Sequence, residues 1–153
     1  MKTLRSEIVI EASAAKVWEV LMNHEAYPEW NPFIKKLSGN VAEGNQIAVM
    51  IQPEGKSAMD FTPIVLKNEK NKEFRWLGKL FVKGLFDGEH FFKLEKIDEQ
   101  KTKLIHGENF SGVISGVLLN MLGESTQKGF EQMNEALKLR VESAYSNIGI
   151  PAN

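Results

Sequence analysis

Between Ser115 and about Ala144, apolar residues fall at Val117, Leu118, Met121, Leu122, Phe130, Met133, Leu137 and Val141. Spacings of three, four and seven give a helix one buried face and one wet face. At 1.5 Å per residue, roughly 30 residues make a rod of about 45 Å, long enough to lie across a small domain. The chain before it reads as short alternating strands, and a sheet with one apolar face needs a cover. One curved sheet gripping one long helix, with a cavity between them, meets both demands.

The 153 residues suit one domain, expected over residues 1–145, with a frayed tail over residues 146–153 that contains Gly149 and Pro151. Nineteen basic residues against twenty acidic ones, a net charge of -1, leave no basic excess for nucleic acid. Without cysteine there is no disulfide, thiolate metal site or cysteine nucleophile. Charges interrupt the N-terminal apolar run, so no signal peptide is read there. No stretch approaches the ~18 apolar residues of a membrane span. The cytoplasm is the expected location.

Taken in order, Leu4–Glu11 alternates as a half-buried strand with Ile8 and Ile10 on one face. Ser13 stands where an N-cap would, before a short helix with Val17, Trp18, Leu21 and Met22 on its apolar side. Tyr27-Pro28-Glu29-Trp30-Asn31-Pro32-Phe33 forbids a long helix, and a broken second helix or tight turn is expected. Burying Trp30 and Phe33 is worth about 1.5–3 kcal/mol each, so the segment should pack. Strands are then expected over Lys35–Ala42, Gln46–Gln52, Ala58–Leu66, Glu73–Phe81, Phe86–Ile97 and Thr102–Gly112, with a turn at Lys83-Gly84. Short turns between consecutive strands imply an antiparallel sheet and an α+β fold.

The chemistry concentrates at His90, His106 and Glu108. With a tight turn at Asp98–Lys101, His106 is expected opposite Leu94, Glu108 opposite Phe92, and His90 opposite Phe110. All lie on the even-numbered face shared with Phe86 and Leu104. Titratable groups on an apolar face need partners. Three readings stay open: an internal hydrogen-bond network, a polar anchor in a ligand pocket, or acid–base catalysis by a histidine–glutamate pair. A one-residue register slip would turn all three outward. A metal is disfavoured, since residues two apart on a strand sit about 6.8 Å apart and do not converge on one ion.

Trp30, Phe33, Phe61, Trp76, Phe86, Phe92 and Phe110 read as core or, where the sheet curves away from the helix, as cavity lining, with Met121 and Leu122 facing them. Gly116, Gly123 and Gly129 interrupt the helix's apolar face at about 1 kcal/mol each relative to Ala. Close approach to the sheet and room for a ligand both account for them. His24 reads as a C-terminal capping cation, and Met121 and Met133 as core gap-fillers. Phosphate-loop, zinc-protease and nucleophile-elbow motifs are missing from the sequence.

A family resemblance spans nearly the whole chain. The opening Ile8-x-Ile-x-Ala-Ser-Ala-Ala-Lys-Val-Trp-Glu-Val-Leu, followed by Tyr27-Pro-Glu-Trp-Asn-Pro-Phe, resembles the start of the SRPBCC or START-like superfamily. Phe74-Arg-Trp-Leu-Gly, Gly84-Leu-Phe-Asp-Gly-Glu-His-x-Phe, Thr102-x-Leu-x-His-Gly-Glu-x-Phe-Ser-Gly and Gly129-Phe-Glu-x-Met-Asn-Glu-Ala-Leu-Lys resemble its polyketide cyclase/dehydrase-like branch. The resemblance implies a helix-grip fold: about seven antiparallel strands wrapped around the C-terminal helix, with two short helices closing one end. It also implies a hydrophobic cavity for lipids, polyketides or similar molecules. It names no cofactor and supplies no universal catalytic residue.

The leading expectation is a protein that binds or carries a small apolar molecule, with Trp30, Phe33, Phe61, Trp76, Phe86, Phe92, Phe110, Met121 and Leu122 around it. His90, His106 and Glu108 would orient its polar group. The alternatives are a cyclase, dehydratase or hydrolase using those three groups, and a protein-interaction module. No nucleic acid, membrane insertion or metal is expected. Homodimerisation stays open, because Leu77, Phe81, Phe91 and Ile105 point outward by parity.

Overall fold

A computed structural model describes residues 1–80 and 84–149. Phe81 and the Lys83 half of the expected turn lie outside the described residues, as does the tail from Ile150. The order is β1 (Lys2–Ile10), α1 (Ala14–Met22), a 3-10 turn (His24–Ala26), α2 (Tyr27–Trp30), β2 (Ile34–Ser38), β3 (Ala48–Ile51), β4 (Met59–Phe61), β5 (Ile64–Glu69), β6 (Glu73–Leu80), β7 (Phe86–Asp98), β8 (Lys101–Ser111) and α3 (Ser115–Gly149). This is an α+β helix-grip fold, with curved antiparallel sheet gripping a long C-terminal helix.

The local signals explain most boundaries. Ser13 caps α1 by accepting the Lys16 N–H, and Val17, Trp18 and Leu21 are buried beneath it. Pro28 sits in the first turn of α2, where its missing N–H is harmless. Asn31 ends that turn: its side-chain oxygen accepts the Phe33 and Ile34 N–H groups and starts β2. The expected Ala58–Leu66 strand is broken at Thr62-Pro63 into β4 and β5, which belong to different sheets. Pro63 has no N–H for a ladder, yet its carbonyl accepts the Ile47 N–H and helps join the sheets.

Among the described residues, eight strands therefore form two sheets, ordered β1-β8-β7-β6-β5 and β2-β3-β4, bridged at Gln46 and Ile64. The β7–β8 hairpin departs from expectation by two residues. His106 stands opposite Phe92, Glu108 opposite His90, and Phe110 opposite Gly88. The pairing shifts between Lys96 and Asp98, where Ile97 is an extra residue on β7. Because the displacement is even, the inward face is unchanged.

Helix α3 packs across β1, β8 and α1 through Phe130, Met133, Leu137 and Val141, each at most 1% exposed. Its first turns differ from the expected burial. Val117 and Met121 are 63% and 69% exposed, so Met121 is not a core gap-filler, whereas Met133 is buried. There the helix overhangs a cavity, which Leu119, Leu122 and Thr126 line. The helix also runs past the expected Ala144 to Gly149. Among the described residues, no helix is long and apolar enough to cross a membrane.

On the outer sheet face, Phe91 and Ile105 are buried rather than exposed, at 5% and 3%. Phe91 lies over Gly107, beneath the Arg75 guanidinium at 4.7 Å and the Lys93 ammonium at 5.5 Å. Long charged side chains thus cover the apolar residues that parity places outside.

Candidate functional site

The two sheets and the first half of α3 enclose a cavity of about 100 Å³, open on one side. The large sheet contributes Trp76, Phe86, Glu108 and Phe110, and the small sheet Val49, Ile51, Met59 and Phe61. Phe33 closes the inner end, where it lies against Gly129 and edge-on to Phe130 at 5.5 Å. Gly78 and Gly88 are paired across β6 and β7 in the wall and leave it thin.

Of the residues singled out from sequence, the fold gathers Phe33, Phe61, Trp76, Phe86, Glu108, Phe110 and Leu122 here. It places others elsewhere. Trp30 is half-buried against Tyr27, with ring centroids 5.3 Å apart, and Met121 faces outward. His90, His106 and Phe92 are fully buried behind the wall. Val49, Ile51 and Met59 were not singled out from sequence. Their alternation marks an apolar face, but only the packing of the small sheet turns that face onto the cavity.

Behind the wall, five polar groups form one chain. Glu108 Oε1 is 3.2 Å from His90 Nδ1, and His90 Nε2 is 2.8 Å from His106 Nε2. His106 Nδ1 is 2.9 Å from Asn134 Oδ1, and Asn134 Nδ2 is 2.8 Å from Ser6 Oγ. Ser6 Oγ ends the chain, 2.9 Å from the His106 carbonyl. Aromatic rings hold the imidazoles in place. Trp76 stacks on His90 at 4.6 Å, and Phe92 stacks on His106 at 4.4 Å.

That carbonyl end orders every proton. A carbonyl only accepts, so Ser6 donates its single proton to it and must accept from the Asn134 amide. Asn134 then offers its oxygen to His106, which donates from Nδ1 and keeps a lone pair on Nε2. His90 donates its Nε2–H to that lone pair, leaving Nδ1 to face Glu108. A proton must lie in this last contact. With two neutral imidazoles, Glu108 carries it.

The electrostatics agree. Burial pushes the Glu108 carboxyl up to about 8 and His90 down to about 3. Burial, and then the neighbouring His90, hold His106 well below the ordinary histidine range; Asn134 and the Phe130 backbone oppose this. Both imidazoles are thus neutral, and their ring nitrogens are committed to the chain. Among the described residues, no group of three His, Asp or Glu is arranged to hold a metal ion. Ser6→Ala, which leaves the Asn134 amide short of an acceptor, will lower the urea-unfolding free energy by about 1 kcal/mol.

His24 corrects the capping-cation reading. It packs edge-on to Tyr27 at 5.1 Å and against Phe74 at 5.6 Å, and burial lowers it to about 4. A neutral ring cannot serve the helix end as a charge.

Residues 1–142 match the family described as polyketide cyclase/dehydrase and lipid transport. The chain belongs to this family. Solved structures of polyketide cyclase-like and START-like fold superpose over nearly its whole length. A START superfamily protein from Mycobacterium smegmatis is 21% identical, with TM-score 0.68 over 93% of this chain and 98% of that one. The ZhuI aromatase/cyclase from Streptomyces sp. R1128 is 14% identical, with TM-score 0.75 over 92% and 93%. Norcoclaurine synthase from Thalictrum flavum is 12% identical, with TM-score 0.70 over 93% and 87%. At such identities the likeness is one of fold. No curated protein matches the chain. Membership in the polyketide cyclase/dehydrase and lipid transport family therefore carries an association with ligand binding, while residue roles rest on this chain's own geometry.

Proposed function

We propose that the protein binds a small, mostly apolar molecule in the cavity and holds its polar group at Glu108. One observation carries the reading: an apolar cavity whose wall presents a single carboxyl group, backed by a satisfied polar chain. At about 100 Å³ the enclosed space suits one ring or a short acyl segment, and the open side leaves room for the rest of a longer ligand. The family's description as lipid transport supports the same class of ligand.

Native mass spectrometry of the purified protein, followed by denaturing extraction, tests this directly. The expected result is a co-purifying apolar molecule. Leu122→Trp, which fills the cavity from the helix side, will weaken its binding at least about tenfold while the unfolding midpoint is retained. Unchanged binding in that variant would place the ligand elsewhere.

A second reading is acid–base catalysis, favoured by the same carboxyl. The roles then differ from the sequence expectation: Glu108 touches the cavity, and the histidines stand behind it as positioning groups. An enzyme of this kind loses turnover in Glu108→Gln. Full activity in a His90→Ala, His106→Ala double variant would remove the histidines from that scheme.

A further inference from the structure

The two oxygens of Glu108 have different surroundings. Oε1 faces His90, whereas Oε2 lies over Gly88, where a Cβ would come within 2.1 Å of it. Gly88 also lines the cavity, and no hydrogen bond from a described residue reaches Oε2. The only proton Glu108 holds is given to His90, as the order of donors back to the His106 carbonyl requires. Oε2 therefore presents lone pairs alone.

We infer that the cavity selects an uncharged ligand whose polar group is a hydrogen-bond donor, an alcohol or phenol O–H, which Glu108 Oε2 accepts. This rests on the ligand-binding reading above and adds the sign of the polar contact. An ether or ketone oxygen would set lone pair against lone pair. A carboxylate would meet the same repulsion with no cation to offset it. Lys79, the other charged residue along the lining, is exposed and of opposite parity to Trp76 on β6. An ammonium group would lose its hydration to an apolar wall and a neutral acid. An O–H meets the lone pairs that Oε2 presents.

Three probes that share a 4-propylphenyl body separate these cases by isothermal titration at pH 6.5: 4-propylphenol, 4-propylanisole and 4-propylbenzoate. The phenol is expected to bind about tenfold more tightly than the ether, as one satisfied buried hydrogen bond allows, and the benzoate more weakly than both. Glu108→Gln keeps the phenol preference, because its amide N–H replaces the donor to His90 and its oxygen replaces Oε2. Glu108→Leu abolishes the preference, so that phenol and ether bind with equal affinity. Equal affinities for phenol and ether in the wild type, or tightest binding of the benzoate, would overturn the donor assignment and leave the cavity reading standing. Binding of none of the three would count against the cavity reading and so overturn both.

Discussion

Unfolding free energy will peak at about pH 7 and fall on both sides, for two separate reasons. His90, His106 and His24 are held below their unfolded values by burial. Below pH 6.5 the unfolded chain takes up protons that the folded chain refuses, so stability is lost as pH falls. Glu108 acts in the opposite sense, with its folded value raised to about 8. From about pH 4.5 upward the folded chain keeps a proton that the unfolded chain has released, so stability declines until about pH 8. Near pH 5.5 three histidines oppose one carboxyl. The net is about two protons, a slope of roughly 2.7 kcal/mol per pH unit at most. Above about pH 7 the histidine contribution fades and Glu108 dominates, giving a decline of roughly 1.4 kcal/mol per unit at most until about pH 8. Urea titrations followed by tryptophan fluorescence across pH 5–9 measure both limbs. Glu108→Gln will flatten the alkaline limb and leave the acid one. An unchanged alkaline limb in that variant would put the titrating proton elsewhere.

Gly129→Ala will destabilise the protein by about 2 kcal/mol although alanine is the better helix former. The new Cβ would lie 2.3 Å from Phe33 Cδ1 and 2.4 Å from Cε1. Phe33 is only 2% exposed, and its one open direction is into the cavity. Overpacking of about 1–3 kcal/mol thus outweighs the helix gain of about 1 kcal/mol. The displaced ring also narrows the ligand space. Gly116 and Gly123 give the contrast, because a Cβ at either meets nothing within 4 Å. Gly123→Ala should gain up to about 1 kcal/mol, and Gly116→Ala less, because Gly116 lies in the first turn of α3. Thermal unfolding of the three single variants decides the matter. Equal stabilisation of all three would show that Phe33 does not rest on Gly129.

These glycines show what could be read along the chain and what could not. A helix with three interior glycines signals close approach or open space, and the sequence offers both explanations for each. Gly129 proves to be close approach, and Gly116 and Gly123 open space. The His90–His106–Glu108 cluster divides in the same way. Alternation places all three on one face, and that survives a two-residue error in register because parity has period two. Nothing along the strands says that Glu108 reaches the cavity while the histidines are sealed behind Trp76 and Phe92. Nor does any local signal tie Ser6 and Asn134, 128 positions apart, into one hydrogen-bonded chain.

By itself the sequence determined the elements and their inward faces: the capped first helix, the strand alternation, the long amphipathic helix and the family motifs that join them. Those follow from backbone sterics and from periodicities of 2 and 3.6, which act over a few neighbouring residues. Only the tertiary structure decided which inward residues meet the cavity, which way the protons point, and which charged side chains cover the outer face. These depend on distances between residues remote in the chain. They are settled by where Ile97 adds a residue to β7, where Pro63 divides the sheet, and where Gly129 lets Phe33 close against the helix.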